Sequence, residues 1–312
     1  MSKRIEIIVP CYNEEKCVAL FCEKIREVFQ ELSEYHYNIL YVDDGSKDGT
    51  LREIKILEEK YGKETVKYIS FSRNFGKESA MYVGLSKSTG DYVVIMDADL
   101  QHPPELLKDM IVALEQEDYD SCAARRVSRT GEPPIRSVFS RSFYKMFQKI
   151  SGVEMVQGST DYRMMKRKMV EAIISMPETE RFTKGIYSWV GFHTKWIEYE
   201  NVERVAGETK WSFAGLLKYA LNGFFAFATA PLRFVVYLGM VIVALSFCYG
   251  AVVFYGALNN PGARTGYASI IIILLFLGGV IISILGLMGE YLARIYLEVK
   301  RRPIYIIRET NV

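Results

Sequence analysis

This 312-residue chain is short of several things, and each shortage closes off a class of function. Its charges nearly cancel, leaving a formal +2, so no basic excess points to a nucleic-acid partner. Its five cysteines, Cys11, Cys17, Cys22, Cys122 and Cys248, lack metal-ligand spacing and are expected as free thiols in a reducing compartment. The opening residues, MSKRIEIIVP, show no cleavable signal pattern, which is expected to leave everything ahead of Arg233 in the cytoplasm. Charge itself is missing from two stretches, between Arg233 and Arg264 and between Arg264 and Glu290.

Those two stretches each exceed the ~20 apolar residues that a helix needs to cross hydrocarbon. A buried hairpin in a soluble protein is the bland alternative, but two such runs side by side favour membrane spans. The loop between them carries only Arg264, whereas Arg233 precedes the first and Arg294, Lys300, Arg301, Arg302 and Arg308 follow the second. The excess of basic residues on one side predicts a two-span protein of the inner or plasma membrane, with catalytic domain and both termini cytoplasmic. The expected layout is a cytoplasmic domain over residues 1–210, an interfacial amphipathic helix over 211–232, two transmembrane helices over 233–292 and a basic tail over 293–312. Gly278 and Gly279 would let spans of two copies approach closely, which makes a homo-oligomer an open expectation.

Ahead of the spans, short apolar runs alternate with helical patterns. Ile5–Val9, Asn38–Val42, Val66–Phe71, Tyr92–Met96 and Tyr119–Ala124 read as strands, with helices at Lys16–Leu32, Leu51–Lys60, Glu78–Lys87 and Glu105–Glu115. This alternation predicts an α/β domain around a mostly parallel sheet. Ligands of such sheets bind beyond the carboxyl ends of the strands. The segments at those ends are polar: PCYNEE, DDGSKDGT, SRNFGKE and DADLQHPPE. Asp48 is expected to cap the following helix, with Gly49 easing the turn. In the last loop Asp97 and Asp99 place two like charges at the end of an apolar strand, a conflict that a divalent cation removes. Mg²⁺ or Mn²⁺ takes hard oxygen ligands, so Asp97, Asp99 and Gln101 form the candidate metal set. An extended segment would turn Asp99 and Gln101 the same way.

Pro10-x-Tyr12-Asn13-Glu14, Asp43-Asp44-Gly45-Ser46-x-Asp48-Gly49-Thr50, Asp97-Ala98-Asp99-Leu100-Gln101-His102-Pro103-Pro104-Glu105 and Arg204-x-x-Gly207-Glu208-Thr209-Lys210 precede the two spans. Together they resemble the family 2, GT-A-fold inverting glycosyltransferases, specifically those that build polyprenyl-phosphate sugars. The resemblance implies a GT-A nucleotide-sugar-binding domain with a Mg²⁺ or Mn²⁺ cofactor. It implies a nucleotide pocket of Pro10, Tyr12 and Glu14, with Tyr12 against the base and Glu14 near the ribose, and a base edge met by Val42 and Asp44. Asp97, Ala98, Asp99 and Gln101 would hold metal and diphosphate, while Arg125, Arg204 and Lys210 gather the phosphates of donor and acceptor. Arg126 and Arg129 have no matched role.

The implied partners are a nucleotide-sugar donor, with a UDP-hexose and UDP-glucose in particular favoured, a polyprenyl phosphate and the membrane. UDP-N-acetylglucosamine, UDP-galactose and GDP-mannose stay open as donors. A lipid phosphate is largely a dianion at neutral pH and needs no general base. Asp161, where relatives carry a carboxylate near the anomeric carbon, is therefore read as a positioning group, with a helix-capping Asp as the alternative. Arg163 would pair with Asp161 or touch the acceptor phosphate. Arg181–Phe192 is expected to form part of a lid on the acceptor side, with Trp189 either core or membrane-facing. A processive polysaccharide synthase would carry a Q-x-x-R-W-type motif, and the nearest match, ETERF, lacks its Gln and Trp. A silent membrane scaffold would not need Asp97, Asp99, Gln101, Arg204 and Lys210 intact.

Overall fold

Ile5, Ile7, Ile8 and Val9 are all fully buried, as are Ile39 to Val42 and Val93 to Met96. Burial of successive residues, rather than alternate ones, marks strands covered on both faces. The computed structural model describes residues 3–127, 156, 158–200, 230–259 and 266–312. Its strands are β1 (Arg4–Cys11), β2 (His36–Asp43), β3 (Val66–Phe71), β4 (Tyr92–Ile95), β5 (Ser121–Arg126), β6 (Ser159–Lys166), β7 (Thr194–Tyr199) and β8 (Ile307–Thr310). The helices are α1 (Val18–Glu31), α2 (Thr50–Tyr61), α3 (Lys77–Lys87), α4 (Leu106–Gln116), α5 (Arg167–Ile174), α6 (Thr183–Trp189), α7 (Ala230–Asn259) and α8 (Tyr267–Val299). The strands form one sheet in the order β7-β5-β6-β4-β1-β2-β3-β8.

The expected mostly parallel arrangement is present: β4, β1, β2 and β3 run parallel, and β5 pairs in parallel with β7. Antiparallel β6 lies between β4 and β5. The carboxyl ends of β1 to β5 therefore share one edge, and β6 begins there. Helix α3 lies so close to β1 that a Cβ at Gly84 would fall 2.3 Å from Ile8 Cγ2. Glycine at this point lets helix and sheet meet.

The residues after the second apolar helix are more than the expected basic tail. β8 pairs antiparallel with β3 and joins the catalytic unit, which comprises Met1–Ala226 and Pro303–Val312. Tyr305 stacks on Phe71 at 5.5 Å, Lys55 pairs with Glu309 at 2.5 Å, and the Asn311 side chain accepts from Tyr68 N–H at 2.6 Å. An edge that would otherwise present unpaired backbone groups is thereby covered.

The second unit, Phe227–Arg302, contains α7 and α8. Phe234–Val252 and Phe276–Val299 are long and apolar enough to cross a membrane, with mean hydropathy 2.2 and 1.8. At 33 residues α8 is ~50 Å long, more than the ~30 Å hydrocarbon layer requires. Its last turns carry an ion pair, Arg294 to Glu290 at 3.0 Å. Most of the expected interfacial helix lies outside the described residues; its end, from Ala230, already belongs to α7.

Candidate active site

Backbone hydrogen-bonding demands shape the first two loops. Asn13 N–H donates to Ser46 Oγ, Lys47 N–H to Asn13 Oδ1, Glu14 N–H to Thr50 Oγ1 and Gly49 N–H to Glu15 Oε2, all between 2.7 and 2.9 Å. The loops after β1 and β2 are thus joined into one wall. The N-cap of α2 is Gly49 and not the expected Asp48, which stands one residue earlier, accepts from Thr50 N–H at 3.1 Å and also faces Glu15 N–H at 3.3 Å. Gly49 has an ordinary φ of −76°, so it is not the turn residue. That residue is Gly45, at φ +66°, where a Cβ would stand 2.4 Å from the Arg73 carbonyl carbon.

Pro10, Tyr12 and Glu14 are part-exposed along this wall. Val42 is fully buried, so its side chain belongs to the core and not to a base-binding edge. Its neighbours Tyr41 and Asp43 are equally buried, which leaves the residues beyond the strand to shape the pocket. Asp44 does so from beneath: its two oxygens accept Phe75 N–H at 2.6 Å and Gly76 N–H at 2.9 Å, fixing the loop after β3. Burial raises the Asp44 carboxyl to about 6, although these two hydrogen bonds pull it down.

The loop after β4 is a turn, contrary to the extended segment expected from sequence. Leu100 adopts φ +56°, a left-handed conformation rare for a branched side chain, and Gln101 N–H returns to Asp99 Oδ1 at 3.2 Å. The Gln101 backbone is thereby folded back onto the Asp99 carboxylate by a tight turn instead of strand alternation. Ala98 is buried beneath them.

Antiparallel pairing then decides the place of Asp161. Ile95 lies opposite Arg163, and continuing this register by two residues sets Asp97 beside Asp161. A cation occupies the space between them. Lys77, the first residue of α3, reaches Asp97 Oδ1 at 2.7 Å, Asp97 Oδ2 at 2.9 Å and Asp161 Oδ2 at 2.7 Å. Burial alone would raise the Asp161 carboxyl, but Lys77 and Lys184 hold it well below the usual carboxylate range. Burial likewise opposes the charge on Lys77, and Asp161 and Asp97 carry its ammonium above the ordinary lysine value. A helix-capping role for Asp161 does not apply, because it sits at the beginning of β6.

Arg163 departs from expectation. It is 3 % exposed, donates to Ser121 Oγ at 3.0 Å and Thr194 Oγ1 at 3.2 Å, and lies over the rings of Tyr187 and Trp196. It forms no ion pair with Asp161 among the described residues, whose carboxylate is engaged by Lys77. Strand geometry explains this. Arg163 is one step deeper along the same face of β6, behind the site instead of at its mouth. Arg125, at the carboxyl end of β5, is 40 % exposed and faces Glu198 at 3.8 Å. Arg126 is part-exposed at the end of the same strand. Arg129, Arg204 and Lys210 lie outside the described residues.

Two residues without an assigned role complete the floor. One is Lys77, whose signal was its place in a polar loop at the carboxyl edge. The other is His102, 6 % exposed, stacked on Tyr162 at 5.3 Å and edge-on to Tyr199 at 5.9 Å. Burial pushes its imidazole below the ordinary value despite nearby Asp97. In α6, Trp189 is exposed, and Thr183 is tied to α3 through Glu78, which accepts from both its backbone N–H and its hydroxyl.

The donor set suits a hard divalent cation completed by substrate phosphate. The carboxylates of Asp97 and Asp99 lie in one loop with Gln101, whose backbone N–H meets Asp99 Oδ1. No cluster of three or more metal-competent His, Cys, Asp or Glu side chains occurs among the described residues, so protein ligands alone do not build a closed cage.

Residues 6–174 match the glycosyl transferase family 2 profile, and residues 230–295 match the GtrB C-terminal hairpin. Bactoprenol glucosyl transferase of Shigella phage SfII is 40% identical over 99% of this chain and 98% of its own length. The prophage bactoprenol glucosyl transferase homolog of Escherichia coli K12 is 39% identical over 99% of both chains. The mannosyltransferase PcManGT from Pyrobaculum calidifontis, solved with GDP-Man and Mn²⁺, has a TM-score of 0.51 at 18% identity, covering 91% of this chain and 88% of that one, which shows a shared fold. With more than half of the chain matched by the family profile and relatives aligned end to end, the chain belongs to glycosyl transferase family 2 and is a glycosyltransferase of its polyprenyl-phosphate group.

Proposed function

We propose that the enzyme transfers a hexose from a nucleotide-sugar, with UDP-glucose the favoured donor, to a polyprenyl phosphate at the cytoplasmic membrane face. The observation that carries this reading is the register setting Asp161 beside Asp97, next to the Asp99–Gln101 turn. A lipid phosphate oxygen would attack the anomeric carbon as the bond to the diphosphate breaks, inverting the configuration. Near pH 7 the phosphate is already largely dianionic, since its second pKa lies near ~6. An ion-paired carboxylate as acidic as Asp161 makes a poor general base, which supports a positioning role near the sugar.

Asp97, Asp99 and Gln101 would hold Mg²⁺ or Mn²⁺, which when bound neutralises the donor diphosphate and stabilises its departure. Tyr12, Glu14 and Asp44 would receive the nucleoside, and Arg125, Arg204 and Lys210 the phosphate groups. The names of the bactoprenol-directed relatives and the two apolar helices support a lipid acceptor. The β3–β8 pairing, which joins residues from before and after the two apolar helices in one sheet, supports placing both termini on the same side of the membrane, while the basic residues flanking the helices support the cytoplasmic side.

The test is a donor screen with purified full-length protein, undecaprenyl phosphate and Mn²⁺ or Mg²⁺, following release of nucleoside diphosphate. Release that requires lipid phosphate, metal and UDP-glucose is expected. Equal release without the lipid would overturn the acceptor, and preference for UDP-N-acetylglucosamine, UDP-galactose or GDP-mannose would replace the donor.

A further inference from the structure

We propose that Lys77 is a positioning residue that keeps the metal-binding carboxylate of the donor-free enzyme neutralised, and that it releases Asp97 when metal and nucleotide arrive together. The proposal rests on the reading of Asp97, Asp99 and Gln101 as the metal set.

Geometry carries it. Lys77 Nζ touches both oxygens of Asp97, at 2.7 and 2.9 Å, and Asp161 Oδ2 at 2.7 Å. Every Asp97 oxygen that a cation could use is already shared with an ammonium. A second, doubly charged cation so close would be repelled, because like charges in a part-buried site are poorly screened. The backbone beneath Lys77 is held on both sides. Asp44 fixes the N–H groups of Phe75 and Gly76, and Glu78 is tied to Thr183. Gly76, at φ +99°, provides the bend that starts α3 under the site. The side chain is the adjustable part, a four-carbon stem that can leave Asp97 while keeping Asp161.

Two consequences follow. Free enzyme takes up divalent metal weakly, and the negative charge of a nucleoside diphosphate compensates the ammonium and lets metal in. Asp161 then remains paired with Lys77 during turnover, held ionised and aimed at the sugar.

The measurement is Mn²⁺ titration of the full-length protein in detergent, reading free Mn²⁺ by electron paramagnetic resonance, with and without UDP. Wild type is expected to bind Mn²⁺ at least about tenfold more tightly with UDP than without. Lys77→Met should tighten Mn²⁺ binding without UDP by about tenfold, and Lys77→Arg should restore the weak binding. In Lys77→Met, kcat should fall more than KM for the donor, because Asp161 loses its support. A merely structural lysine would lower thermal stability without raising metal affinity. Unchanged or weaker Mn²⁺ binding by folded Lys77→Met would overturn the proposal. If that variant does not fold, the wild-type titration still decides: Mn²⁺ affinity indifferent to UDP would overturn it equally. Should Asp99→Ala bind Mn²⁺ as wild type does in the presence of UDP, the metal assignment itself fails, and this proposal with it.

Discussion

Asp161 could be read from sequence as a base, a cap or a support, and its neighbours discriminate among these. Lys77 and Lys184 keep its carboxyl too acidic to accept a proton near pH 7. In a pH–rate profile with donor saturating and acceptor limiting, Asp161→Asn should lose rate through lost positioning. It should keep the limb near ~6 that reports the phosphate dianion. Disappearance of that limb would restore a general base. Asp44 also titrates at about 6, so its contribution must be separated by measuring nucleotide affinity directly. As pH rises through that value its carboxyl ionises and becomes a stronger acceptor for Phe75 and Gly76, so affinity should rise between pH 5 and 7. At the metal turn, Asp99→Ala should lower turnover by about a thousandfold while leaving thermal unfolding nearly unchanged. Near-normal turnover at saturating Mn²⁺ would count against the ligand assignment.

At the scale of elements, short segments hold the site by conformations that few residues tolerate. Gly45→Ala would force a side chain into φ +66° and against the Arg73 backbone. A loss of at least about 2 kcal/mol in stability is expected, together with a raised KM for the nucleotide. A melting curve and donor kinetics check both. Strand β8 makes a second case. Truncation after Arg302 would uncover β3, remove the Tyr305–Phe71 stack and break the Lys55–Glu309 pair. Tm should fall by about 4 °C or more, and the exposed edge should promote aggregation. A truncated protein that melts and behaves like the full chain would make β8 dispensable.

For the whole molecule, the sheet bears on the proposed topology. Residues 307–310 pair with β3, so the chain rejoins the sheet after its two apolar helices, as the proposed two-span arrangement requires. An impermeant maleimide applied to intact cells should label Arg264→Cys and leave Val312→Cys unlabelled until the membrane is opened. Cys11, Cys17, Cys22 and Cys122 are buried, which limits background, and Cys248 is replaced beforehand. Labelling of both positions from outside would contradict the two-span arrangement.

Chain-local physics settled a great deal in advance. Apolar runs and helical spacing marked β1 to β5, α1 to α4 and the two long helices, because burial period and hydrocarbon thickness act on contiguous residues. Polar strand ends marked the loops at one sheet edge, with Asp97, Asp99 and Gln101 among them, because such loops face a common cleft, whereas Tyr12 and Asp44 were singled out by the family resemblance. Long-range pairing settled the remainder. Antiparallel β6 brought Asp161 to Asp97 and drew Arg163 behind the site, α3 delivered Lys77, and β8 turned an expected tail into part of the sheet. None of these follows from local pattern, since Lys77 and Asp161 are 84 positions apart and only the folded register makes them neighbours.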